Sequence, residues 1–124
     1  MLTSALMLTI GYSANTVTSP SAPQVVATRP ANGAIVPAGP VTISVTFDQP
    51  MRAGSYSFVQ VSPSTYPDCS RTPALSADRR TYSLSCRVTP DRSYELWFNR
   101  GRFQHFVGEN GVAAAPYQLR FRAR

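Results

Sequence analysis

Lysine is absent from this chain, and all twelve of its basic side chains are arginine. Six acidic residues leave a formal net charge of +6. The arginines are dispersed, and no basic run exceeds the pair Arg79-Arg80. Two readings of this balance stand side by side. One is an arginine-rich composition on an ordinary solvated surface. The other is a surface for polyanions such as lipid headgroups, acidic glycans or nucleic acid.

Histidine is as scarce: His105 stands alone. Two cysteines and one histidine fall short of the four ligands of a structural zinc site, so no metal is expected. His105 is also the sole imidazole base on offer, with Glu109 on the same loop as its nearest acid. The chain has no G-x-S-x-G elbow, no Cys-His motif and no glycine-rich loop opening a helix. Nucleophilic catalysis and nucleotide binding therefore lack their usual parts. Asp48, Asp68, Asp78 and Asp91 fall at turn signals, where acids are expected, rather than as a pair flanking a scissile bond. These absences argue against an enzyme and against any cofactor.

Long apolar runs are missing too. Residues 1–10, MLTSALMLTI, are apolar but too short to span a bilayer as a helix, so no transmembrane helix is expected. With the small residues that follow, residues 1–14 read as the apolar part of a secretory signal lacking its basic start. The alternatives are an N-terminal extension or a first strand. Residues 15–23, NTVTSPSAP, read as a linker.

What remains is the punctuation of an all-β protein. Eleven prolines and seven glycines separate short apolar runs in a chain of one-domain length, 124 residues. About seven strands are expected, at residues 24–28, 41–47, 56–61, 74–76, 81–88, 93–99 and 117–123. Residues 62–73 and 100–116 read as loops. No window has a helical period, and strands with one apolar face need a second sheet to cover them. The expected core is Val26, Val41, Ile43, Val45, Phe47, Tyr82, Leu84, Val88, Leu96, Phe98, Leu119 and Phe121.

Particular residues stand out from this pattern. Cys86 points inward on its strand and Cys69 sits in the preceding loop. A bridge between them would be a local staple, and two buried thiols are the alternative. Arg120, Arg122 and Arg124 share one face of the last strand. With Arg100, Arg102, Trp97, Phe103 and Phe106 they would form a basic, aromatic patch suited to an anionic polymer. Alternatively, the arginines protect an outer strand from pairing with other sheets. Finally, the regular strand VTISVTF ends at Asp48-Gln49-Pro50-Met51. Pro50 cannot donate to a ladder, Asp48 can accept backbone N–H groups, and Met51 can close the end of the core. The segment reads as a structural corner.

VVATRPANGAIVPAGPVTISVTFDQPM resembles the opening of the bacterial Ig-like domains of surface-layer and other exported proteins. SADRRTYSLSCRVTPDRSYELWF and FVGENGVAAAPYQLRF are similar to the middle and end of the same family. The resemblance covers residues 24–124. It implies an Ig-like Greek-key β-sandwich, with Tyr94 as its tyrosine corner. It also implies a non-enzymatic exported module, periplasmic or extracellular, acting by adhesion, scaffolding or ligand contact at the cell envelope. Its partner would be a protein or an envelope polymer, with no nucleotide and no metal. Copper carriers have a similar sandwich, but the histidines that bind their metal are missing here.

Overall fold

The computed structural model describes residues 20–124. The leader expected at residues 1–14 and the start of the linker lie outside the described residues. Among those described there are nine strands: β1 (Val25–Arg29), β2 (Ile35–Val36), β3 (Gly39–Phe47), β4 (Phe58–Gln60), β5 (Asp68–Cys69), β6 (Ala74–Leu75), β7 (Thr81–Val88), β8 (Ser93–Phe98) and β9 (Tyr117–Ala123). One sheet has the order β2-β9-β8-β4 and the other β1-β3-β7-β5, with β6 also on β7. The two sheets pack as an Ig-like sandwich. All pairings are antiparallel except β2 with β9, which is parallel.

Alternation fixes the inward faces. Ile43, Val45 and Phe47 of β3 meet Tyr82, Leu84, Cys86 and Val88 of β7 on one side of the interior. Tyr94, Leu96 and Phe98 of β8, with Leu119, Phe121 and Ala123 of β9, form the other. Each large apolar side chain so buried contributes on the order of 1.5–3 kcal/mol. Val41, nearer the strand's start, is only half-buried.

Val26 is not in the core: it is 61% exposed. The register against β3 slips between Val25 and Ala27, so one extra residue sits in β1. That bulge turns Val26 outward, and period-two reading cannot see it. β2 and β5 each have two residues, too few for any alternation to announce them.

Phe106 is a second departure. Expected at a surface patch, it is fully buried. Its ring lies 5.3 Å from Phe47, 5.4 Å from Tyr82, 5.0 Å from Phe58 and 6.0 Å from Phe98. Those rings come from both sheets, so the connection between β8 and β9 contributes a plug to the interior. Asn99 holds it there. Fully buried and with φ of 63°, Asn99 donates from Nδ2 to the Phe106 and Ala114 carbonyls, each at 3.0 Å. Its Oδ1 accepts the Phe106 N–H at 3.0 Å. Asparagine tolerates this left-handed backbone better than most side chains.

Cys69 and Cys86 face each other across β5 and β7, Cα atoms 3.9 Å apart, and form a disulfide. It joins neighbours within one sheet rather than the two sheets.

Two outcomes follow from this packing. Asn99→Ala leaves the Ala114 carbonyl and the Phe106 N–H without partners, while the Phe106 carbonyl keeps the Ala114 N–H, and should lower unfolding free energy by about 2–4 kcal/mol in a denaturant titration. A loss below about 0.5 kcal/mol, the ordinary range for surface changes, would contradict the role given to Asn99. Removing the disulfide, which spans a separation of 17 residues, should cost about 3 kcal/mol. The comparison is oxidised protein against the double serine variant under the same denaturant.

Candidate functional site

The outer face of the four-stranded sheet gathers most of the residues that suggested a binding surface. Inward Tyr94, Leu96 and Phe98 send Glu95 and Trp97 out on β8, and inward Leu119 and Phe121 send Gln118, Arg120 and Arg122 out on β9. The register sets Trp97 opposite Gln118, Glu95 opposite Arg120 and Ser93 opposite Arg122. The Arg100 guanidinium lies over the Trp97 ring, 5.3 Å from its centre. Such stacking holds a cation on the indole face. The indole Nε1 is buried and has no hydrogen-bond partner. Val59, opposite Trp97 on β4 and on the same face, is buried.

Charge on this face is not all free. Glu95 Oε2 accepts a hydrogen bond from Gln118 Nε2 and lies 3.7 Å from Arg120 Nη2. The pair is partly exposed, so it is worth little as stability, but it lowers the net positive charge near Arg120. Arg122 has no acidic partner among the described residues. Arg120 and Arg122 border an open groove of about 370 Å³, together with Ile35, Thr65, Ser93 and Glu95.

Arg102 lies elsewhere. Its guanidinium covers the ring of Phe103 at 5.1 Å, and Phe103 as a residue is 46% exposed. Phe103 borders a second concavity, an open cleft of about 450 Å³ at the β4 edge. Tyr56, Phe58, Tyr66, Arg71 and His105 also line it. Burial pushes the Tyr66 phenol above its ordinary value of 10.0, so it faces the cleft as a neutral hydroxyl. Sequence reading missed this cleft because its walls come from separated segments. The one local signal was Tyr56 and Phe58, two aromatics at strand spacing.

The Asp48 corner is a junction of backbone. The Asp48 carboxylate accepts the Gln24 N–H at 3.0 Å, and Asp48 N–H returns to the Gln24 carbonyl at 3.0 Å. The Pro50 carbonyl accepts the Glu109 N–H at 3.1 Å. Met51 is fully buried, and its N–H donates to the Arg79 carbonyl at 2.7 Å. Ser21 joins the same junction, since its carbonyl accepts from Gln49 Nε2 and Asn110 Nδ2. At the other end of the sandwich the Tyr94 hydroxyl accepts the Thr89 N–H at 2.8 Å.

His105 and Glu109 are not brought together. His105 is exposed, and its backbone groups are held by the hydroxyls of Ser55 and Ser57. Glu109 instead pairs with Arg79 at 2.6 Å. Among the described residues no group of three or more His, Cys, Asp or Glu could hold a metal ion. No described helix is long and apolar enough to cross a membrane.

A comparison with curated proteins returns no match. The family model described as the bacterial Ig-like domain matches residues 19–123. Domains of that family are generally non-catalytic and typically extracellular or surface-exposed. Strand order, tyrosine contact and the extent of the match agree, and the chain belongs to the bacterial Ig-like domain family.

Proposed function

We propose that this chain is a non-enzymatic exported module of the bacterial cell envelope, of the surface-layer type, acting in adhesion, scaffolding or ligand contact. Residues 1–14 act as its leader, 15–23 as a linker and 24–124 as the working domain. The Cys69–Cys86 disulfide carries this reading, because such bonds persist in oxidising compartments outside the cytosol. Mass spectrometry of fractionated cells tests it. The expected species is periplasmic or extracellular, lacks the leader, and carries no free thiol. A reduced, full-length cytosolic species would reject export.

The outer sheet face favours a second reading, a binding surface for an anionic polymer such as an acidic glycan or lipopolysaccharide. Edge protection explains these arginines poorly, because β9 is not an outermost strand. Its N–H groups at Arg120 and Arg122 are taken by Asn32 and Ala34, and β2 lies along it. Arg120 and Arg122 border one groove, and Arg100 stacks on Trp97 of the adjacent strand. Anion binding through this face is salt-sensitive. Replacing both Arg120 and Arg122 with glutamine should weaken binding to heparin by about thirtyfold, at about 1 kcal/mol per arginine near an anionic surface. Binding unchanged by salt or by the two substitutions would reject this reading.

A further inference from the structure

The strands at the rims of this sandwich are not equally protected. β1 carries the bulge at Val26, β2 has two residues and is followed by Pro37, and β5 is stapled by the disulfide. Bulges, prolines and very short strands are the usual means of blunting an edge. β4, the three residues FVQ, is short as well, but it has no bulge, proline or charge. It pairs with β8 on one side only.

The direction of its backbone groups follows from one hydrogen bond. Asn99 N–H donates to the Ser57 carbonyl at 3.1 Å, in register with the β8–β4 ladder. In an antiparallel ladder the bonded positions alternate. Ser57 and Val59 therefore face β8, while the N–H and C=O groups of Phe58 and Gln60 point to the open side. The cleft of about 450 Å³ runs along that side, lined by the consecutive residues Tyr56, Ser57, Phe58, Val59 and Gln60. One wall is therefore a run of five consecutive residues, three of them the strand β4. The opposite wall holds Ser70 and Arg71, positioned by the Ser70 N–H bond to the Ser85 carbonyl at 2.8 Å beside the disulfide.

We infer that this cleft accepts an extended segment of an acidic partner polypeptide as an added strand on β4, paired with the backbone of Phe58 and Gln60. Backbone pairing would supply affinity, and alternate side chains would enter the cleft. Tyr56, Phe58 and Phe103 suit an apolar side chain. Arg71 is the charged residue of the lining, His105 also borders it, and no carboxylate lines it. The guanidinium of Arg102 lies over Phe103 at the rim. An acidic side chain is the complement of that lining. A second copy of this chain is a poorer occupant, because each copy carries a net charge of +6.

The inference deepens the binding-module reading and rests on it for the existence of a partner. The test reads the edge itself. Full-length, isotope-labelled protein is titrated to millimolar concentration with a capped peptide of alternating valine and threonine carrying two glutamates. Its glutamine twin and a twin with N-methylated backbone serve as controls. The amide signals of Phe58 and Gln60 should shift, and their hydrogen exchange should slow. The glutamine twin should bind about threefold more weakly, and the N-methylated twin should leave both amides unmoved. Arg71→Gln should erase the preference for glutamate while keeping the Phe58 and Gln60 shifts. Unmoved amides with the glutamate peptide, or equal shifts with the N-methylated twin, would overturn the inference. Shifts confined to Tyr56 and Phe103, produced by a chitin hexasaccharide and not by the peptides, would overturn it in favour of a glycan. A silent edge leaves export standing, and a cytosolic protein leaves an occupied edge standing, so the two failures are distinguishable.

Discussion

The ring of Phe106 is where the two sheets and the β8–β9 connection meet. It is buried among Phe47 and Tyr82 of one sheet and Phe58 and Phe98 of the other. Aromatic pairs at these distances add stabilisation beyond the area they bury. Without an insert from the connection, this end of the interior would be short of volume, and cavities in a close-packed core are costly. Phe106 depends in turn on Asn99, whose amide satisfies three buried backbone groups and keeps the segment against the core. A buried amide with every bond made fixes a segment, whereas one left unmet destabilises it.

Both candidate surfaces stand on that packing. Phe58 touches Phe106 from the inside and lines the β4 cleft from the outside, so the cleft floor is as firm as the plug. The arginine face is set by the same alternation that fills the interior: each inward residue of β8 and β9 sends its neighbour out. The Asp48 and Ser21 contacts tie the entering chain to the end of β3 and to the turn at Asn110. The sandwich therefore presents a sheet face and a strand edge on a rigid frame, which suits recognition.

Legibility from the sequence tracked regularity. Residues 81–88 alternate cleanly, and β7 has those bounds. The outward placement of Arg120, Arg122 and Trp97 was legible for the same reason. Val26 was not, because a bulge adds a residue that no periodic reading detects. Phe106 was not, because it lies in a segment without period, where burial is decided by what the rest of the fold leaves unfilled. The cleft was hidden twice over. Its walls are distant in sequence, and its proposed contacts are backbone groups, which carry no residue signature. Composition spoke to class and stayed silent on which arginines would be neighbours, as Arg102 on Phe103 shows.

The central claim is that the β8–β9 connection belongs to the core through Phe106. Native-state hydrogen exchange of the Phe106 amide, which bonds to Asn99 Oδ1, measures this directly. The account predicts exchange only through global unfolding, with the same opening free energy and denaturant dependence as the amides of Ile43 and Leu84. Exchange at the rate of an open surface loop, insensitive to denaturant while the sheets stay closed, would contradict it.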